Sequence, residues 1–220
     1  MKKLLFLFFI VTVINGCATF GVQVDGKFDK APVKNSEAKK VKVLFVFDHT
    51  KQLDGLDAIP KLVSPGIALK DFNDIFLDAL KEFSNLEGYH IISETSQDIE
   101  WSDKQKRKEN LKKESDYVIE TTILKKESFA RNFLGGMVSL VSLSLIPVTY
   151  PKDYYFTVKV YNAKGLLLKE YKRTGYIKDW VQLVMLFYYP YHSPEKAVED
   201  LYSTILHDIF REIENDKLLI

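Results

Sequence analysis

One cysteine, Cys17, is all the thiol this 220-residue chain carries. No disulfide can close within one copy, and no cysteine-based metal site can form. Charge of one sign is also missing: 31 Lys and Arg stand against 30 Asp and Glu. A chain so balanced is not built as a bulk polyanion binder, so nucleic acid is not an expected partner. The four histidines, His49, His90, His192 and His207, are scattered, and none sits at metal-ligand spacing from another ligating side chain. Phosphate loop, nucleophile elbow and dinucleotide fingerprint are all absent, and Gly135-Gly136 lacks the basic and hydroxyl followers a phosphate loop needs. No catalytic residue, metal or cofactor is therefore expected, and the chain is read as a non-enzyme. Asp48-His49-Thr50 ends an apolar run, a place where α/β proteins hold ligands, but three polar residues there also suit an ordinary loop.

What is present begins with MKKLLFLFFIVTVINGCATF. Lys2 and Lys3 form a basic start, and Leu4 to Ile14 form an apolar segment of signal-peptide length, too short for a comfortable membrane span. Ile14-Asn15-Gly16-Cys17 resembles the bacterial lipoprotein signal, with an aliphatic residue at −3, a small residue at −1 and then cysteine. The resemblance implies cleavage after Gly16, so that 1–16 is a signal peptide, and acylation of Cys17, palmitate included. Ala18 in place of Asp implies passage to the outer membrane, with the domain facing the periplasm. Residues 18–40 are polar, hold Gly, Pro and Ser, and show no apolar period, so 17–40 reads as a lipidated flexible tether.

From residue 41 the chain reads as one folded domain reaching residue 220. VKVLFVFD (41–48) is a near-continuous apolar run, the mark of a buried strand. Leu69, Phe72, Ile75, Phe76, Ala79, Leu80 and Phe83 recur at helical spacing over about 67–84. YHIISE (89–94) and DYVIETTIL (116–124) read as strands around a basic helix at 102–115. In 152–175, Phe156, Val158 and Val160 alternate with polar residues, and Asn162-Ala163-Lys164-Gly165 signals a turn in which Gly165 takes positive φ. Ser193-Pro194-Glu195 opens a last helix with a cap, an N1 proline and a first-turn acid. The expected fold is a single α/β sandwich, a mixed sheet of about five strands with helices packed on it. The order is β-α-β-α-β, an apolar insert, β-β, a second apolar insert, then α.

That order resembles a group of envelope lipoprotein domains: the amino-terminal domain of TolB, LpoB and the curli-secretion lipoprotein. Ser115 to Glu120 resembles the strand entry of that group, and Tyr155 to Tyr171 looks like its hairpin. No functional site is carried over from that group; the accessory or scaffold role expected in the envelope rests on the lipoprotein signal, the α/β domain and two apolar runs.

Two uncharged runs fall outside the group's pattern. They are NFLGGMVSLVSLSLIPVTYP (132–151) and WVQLVMLFYYPY (180–191). They flank the hairpin, and the outer ends of two antiparallel strands meet, so both runs should leave the sheet at one end. A patch made of both would exceed what a soluble monomer usually exposes. Its candidate docking residues are Phe133, Leu134, Met137, Leu140, Leu143, Leu145, Trp180, Leu183, Leu186, Phe187, Tyr188 and Tyr189. Run 132–151 is also close to the roughly 20 residues of a membrane span. A span would put the hairpin across the bilayer from the earlier strands, so a packed helix or a docking segment is the preferred reading. The expected partners are the membrane, through the lipid, and an envelope protein, with a homo-oligomer left open. The further readings are a subunit of a secretion or pore complex, and a module whose inserts close over a lipid or small apolar ligand.

Overall fold

A computed structural model describes residues 17–28, 30, 34, 37–54, 60–63, 69, 71–94 and 101–219. The proposed signal peptide, 1–16, lies outside the described residues.

The architecture is a mixed seven-stranded sheet with helices packed on it. Its strands are β1 (Cys17–Asp25), β2 (Val41–Asp54), β3 (Pro60–Val63), β4 (Leu86–Glu94), β5 (Tyr117–Ser128), β6 (Val148–Asn162) and β7 (Leu167–Val181). The helices are α1 (Phe72–Ala79), α2 (Trp101–Glu114), α3 (Phe129–Val141) and α4 (Pro194–Asn215). The path across the sheet is β1-β7-β6-β5-β2-β3, with β4 also on β2. β2 runs parallel to β4 and β5, and every other pairing is antiparallel.

The expected α/β order holds, with two strands more than expected. β3 takes the part of β2's edge that β4 leaves open: β4 pairs with 41–48 and β3 with 51–54. The second addition corrects the tether. Residues 17–25 form β1, antiparallel to β7, with Cys17 opposite Val181 and Asp25 opposite Thr174. The physical cause is the open edge of β7, whose backbone groups β1 satisfies. β2 also runs on to Asp54, so Asp48-His49-Thr50 lies within the strand rather than at its end.

The main core forms where alternate residues of the long strands meet α1 and α4. Val43, Phe45 and Phe47 of β2, Phe156, Val158 and Val160 of β6, and Leu201, Ile205, Ile209 and Ile213 of α4 are all buried there. Phe45, Phe76, Phe83 and Phe210 form a ring cluster with centroids 5.0–6.4 Å apart, a packing that adds to simple area burial. A smaller cluster on the opposite face joins Leu44, Val46, Ile92 and Val118, with Leu111 of α2 packed on it. Ser193 caps α4, its hydroxyl accepting from Lys196 N at 3.2 Å, and Pro194 starts the helix. Gly165 takes φ +76° in the β6–β7 turn.

Candidate functional site: an apolar end face

The hairpin sets the site's position. β6 and β7 are 15 residues each, and their turn closes one end of the sheet. At the other end Val148 pairs with Val181, and Val181 pairs with Cys17. Both apolar runs begin or end there, as the antiparallel geometry requires. They also bond to each other: Leu183 N donates to Ser144 O at 3.0 Å, and Gln182 Nε2 donates to Leu145 O at 3.2 Å.

Run 132–151 is not one element. It is helical to Val141, turns through 142–147 and enters β6 at Val148. α3 has 13 residues, which is about 20 Å of helix, well short of the roughly 30 Å of a bilayer core. Among the described residues no helix is long and apolar enough to cross a membrane. The span reading of this stretch is thereby corrected: the chain has to leave the helix to reach β6.

Small residues seat α3 on the strands. A Cβ at Gly135 would lie 2.7 Å from Val148 Cγ1 and 2.9 Å from Tyr150 Cε1, so only glycine allows this approach. Ser139 is buried, and its hydroxyl meets that of Ser144 at 2.9 Å. Ser144 N donates back to Ser139 O at 2.7 Å, which closes the helix end. Leu143 and Ser144 hold φ of 51° and 58°, a region non-glycine residues seldom occupy. That turn sends the chain back across the end of the sheet.

With its small residues facing the strands, α3 turns its large ones outward. Phe133, Leu134, Met137, Leu140 and Leu145 are exposed, Leu134 at 62%. Phe187 is 77% exposed, and Tyr188 and Tyr189 are exposed with it in the turn after β7. Leu143, Trp180 and Leu183 are half-buried. The side chain of Leu186 lies outside the described residues. Sequence reading missed Phe129, Val138, Val141, Ile146, Val184 and Tyr191, which are exposed on the same segments. The signal was available, since all lie in or beside the uncharged runs.

β1 is clamped at this end. Thr19 is buried, its hydroxyl donates to Asp179 Oδ1 at 2.6 Å, and its N–H donates to His192 O at 2.8 Å. Lys152 bonds the other oxygen of Asp179. Cys17 is thus two residues from a buried, doubly bonded position.

A cavity of about 400 Å³ lies between the sheet and α4, lined by His49, Leu69, Lys125, Lys152, Tyr154, Pro194, Glu195, Val198, Glu199 and Tyr202. Among the described residues none of 132–151 or 180–191 lines it, so the described parts of the inserts do not close over it. Burial holds Lys125 below the ordinary lysine value, against the pull of Glu127. Burial also pushes the phenols of Tyr154 and Tyr202 well above the usual tyrosine value, so both stay protonated. His207, by contrast, faces α1 rather than a ligand site, with its ring nitrogens 2.9 Å from Glu82 and 3.1 Å from Asp78.

The fold and site define a mixed α/β chain with an apolar end face. No protein-family model matches it, and the comparison with curated proteins found no match. Among solved structures it is similar to PelC of Paraburkholderia phytofirmans, crystallised as a dodecamer, at 11% identity and a TM-score of 0.31, over 86% of this chain and 96% of that one. A point variant of the same dodecamer aligns at 10% identity and a TM-score of 0.32, over 87% and 98% of the two chains. At these scores the likeness carries neither fold nor assembly over to this chain.

Proposed function

We propose that this chain is a non-enzymatic, lipid-anchored envelope lipoprotein whose apolar end face rests on the membrane that holds its lipid. Its place is the periplasmic side of the outer membrane, and its role is that of an accessory or scaffold protein. The single observation that carries the reading is the pairing of Cys17 with Val181. It puts Cys17, the proposed acylation site, at the end of the sheet where α3 and the 183–191 turn expose their apolar side chains. With 17–25 held in β1 there is no slack between lipid and domain, so acyl chains entering a bilayer bring that face against it. A membrane removes the exposed Phe, Leu and Tyr side chains from water, which favours this seating. The rim tyrosines suit the interfacial zone.

Acylation blocks the only native thiol, so a single introduced cysteine can be labelled in the mature protein. An environment-sensitive fluorophore at Leu134→Cys should shift to the blue when the protein is reconstituted in phospholipid vesicles. The same label at Lys164→Cys, in the hairpin turn, should not shift. Equal emission at the two positions would refute the seating. Maleimide labelling of the wild-type protein would refute acylation of Cys17.

A further inference from the structure

The cavity under α4 meets the end face at Lys152, which also bonds Asp179 in the β1 clamp, and its walls are of opposite charge. Lys125 of β5 and Lys152 of β6 stand on the sheet side, and Glu195 and Glu199 of α4 stand on the helix side. We propose that this cavity binds a small zwitterion, its anionic group against the two lysines and its ammonium against the two glutamates.

The argument starts from the strands. Lys51 pairs with Lys125 in the β2–β5 register, and Lys152 lies one strand further across. The carboxylates that face them are Glu127, which bonds Lys51 and Lys125, and Asp179, which bonds Lys152. Glu127 is shared between Lys125 and Lys51, which does not line the cavity, so Lys125 has only part of one carboxylate to offset its charge. An ammonium penalised by burial, as Lys125 is, gains from an added anion. Tyr154 and Tyr202, both protonated, border the same space as apolar surface with a hydroxyl handle.

On the helix wall, Glu195 in the first turn complements the helix dipole and would be expected there for that reason alone. Glu199 lies a turn further on, beyond the range of that effect, yet it lines the cavity too. A simple anion would be drawn to one wall and repelled by the other, and a simple cation likewise. A dipolar ligand satisfies both. The volume, about 400 Å³, falls in the range of roughly 300–1,000 Å³ typical of small-molecule sites. A free amino acid and the ethanolamine phosphate headgroup of a lipid share this chemistry.

Calorimetry on the full-length protein in detergent micelles separates the outcomes. L-leucine and O-phosphoethanolamine are titrated beside 4-methylpentanoate and 3-methylbutylamine, which each keep one charge. At least one zwitterion should saturate one site per chain, about tenfold tighter than either single-charge analogue. Glu199→Gln should weaken it by about tenfold with the melting temperature kept, and Glu195→Gln serves as the second variant if the first melts early. Leucine binding alone points to a free amino acid, phosphoethanolamine binding alone to a lipid headgroup, and either supports the site. Failure of both zwitterions to saturate, equal binding of a single-charge analogue, or unchanged affinity in the glutamine variants overturns it. None of these results depends on the membrane seating, which the fluorophore positions report separately.

Discussion

At the scale of single residues, Arg173 holds β7 to α4. It is 7% exposed, and its guanidinium bonds Asp208 at 2.7 Å and also reaches Glu212. Burial works against its charge, but the two carboxylates outweigh that and raise its pKa. Asp208 has a second duty, accepting from Phe28 N at 2.9 Å. Replacing Arg173 with Met strands two carboxylates, one of them buried, with no cation to compensate. Breaking a buried pair from one side costs about 3–5 kcal/mol, so Arg173→Met should lose that much in a urea titration. Arg173→Met combined with Asp208→Leu should recover part of it. A single variant that melts like wild type would remove Arg173 from the account of stability.

Among elements, α4 is held to α1 by a charged clasp. His207 and Arg211 of α4 meet Asp78 at the end of α1 and Glu82 in the turn after it, with Arg211 Nη2 2.9 Å from Glu82. Burial pushes the Glu82 carboxyl up, but the hydrogen bonds from Arg211 and His207 outweigh it and hold its pKa below the ordinary 4.5. A carboxylate depressed on folding stabilises the fold above its unfolded pKa, and that stability is lost as pH falls through the folded value. Glu82→Gln should therefore cost about 1 kcal/mol at neutral pH. The gap to wild type should be full above pH 4.5 and narrow as pH falls through the lower folded value, which urea midpoints taken from pH 7 down through the acid range follow. A gap that does not narrow as the carboxyl is titrated would mean the contact is packing rather than charge. Element by element, the sequence was legible where the apolar pattern is clean: the unbroken run of β2, buried on both faces, and the one-faced period of α4 and the β6–β7 hairpin all stand where that pattern puts them. β1 was not, because Gly21 at φ +78° and the register shift between Thr19 and Val22 break its alternation. β3 begins on a proline and is four residues long, too little for any period. The end face was legible because hairpin geometry alone brings two uncharged runs together. The cavity was not, since its lining runs from His49 to Tyr202 and no local motif joins those residues.

On the scale of the whole molecule, charge and apolar surface are segregated. The formal net charge is only +1. Between Arg131 and Lys152, and through 180–191, there is no charged residue at all. Some lysines elsewhere are matched by neighbouring acids, as in Lys108 with Glu94 and Lys112 with Glu120. On the proposed seating, such a molecule would meet a bilayer through apolar contact rather than through attraction to anionic headgroups. Electrostatic attachment weakens as the Debye length shrinks from about 30 Å at 0.01 M to about 3 Å at 1 M salt, whereas apolar burial does not follow that dependence. The emission of the fluorophore at position 134 in vesicles should thus stay constant across that range of salt, and also between zwitterionic and anionic lipid. A return to the emission seen in water at high salt would show that lysines, not the α3 face, hold this end of the sheet on the membrane.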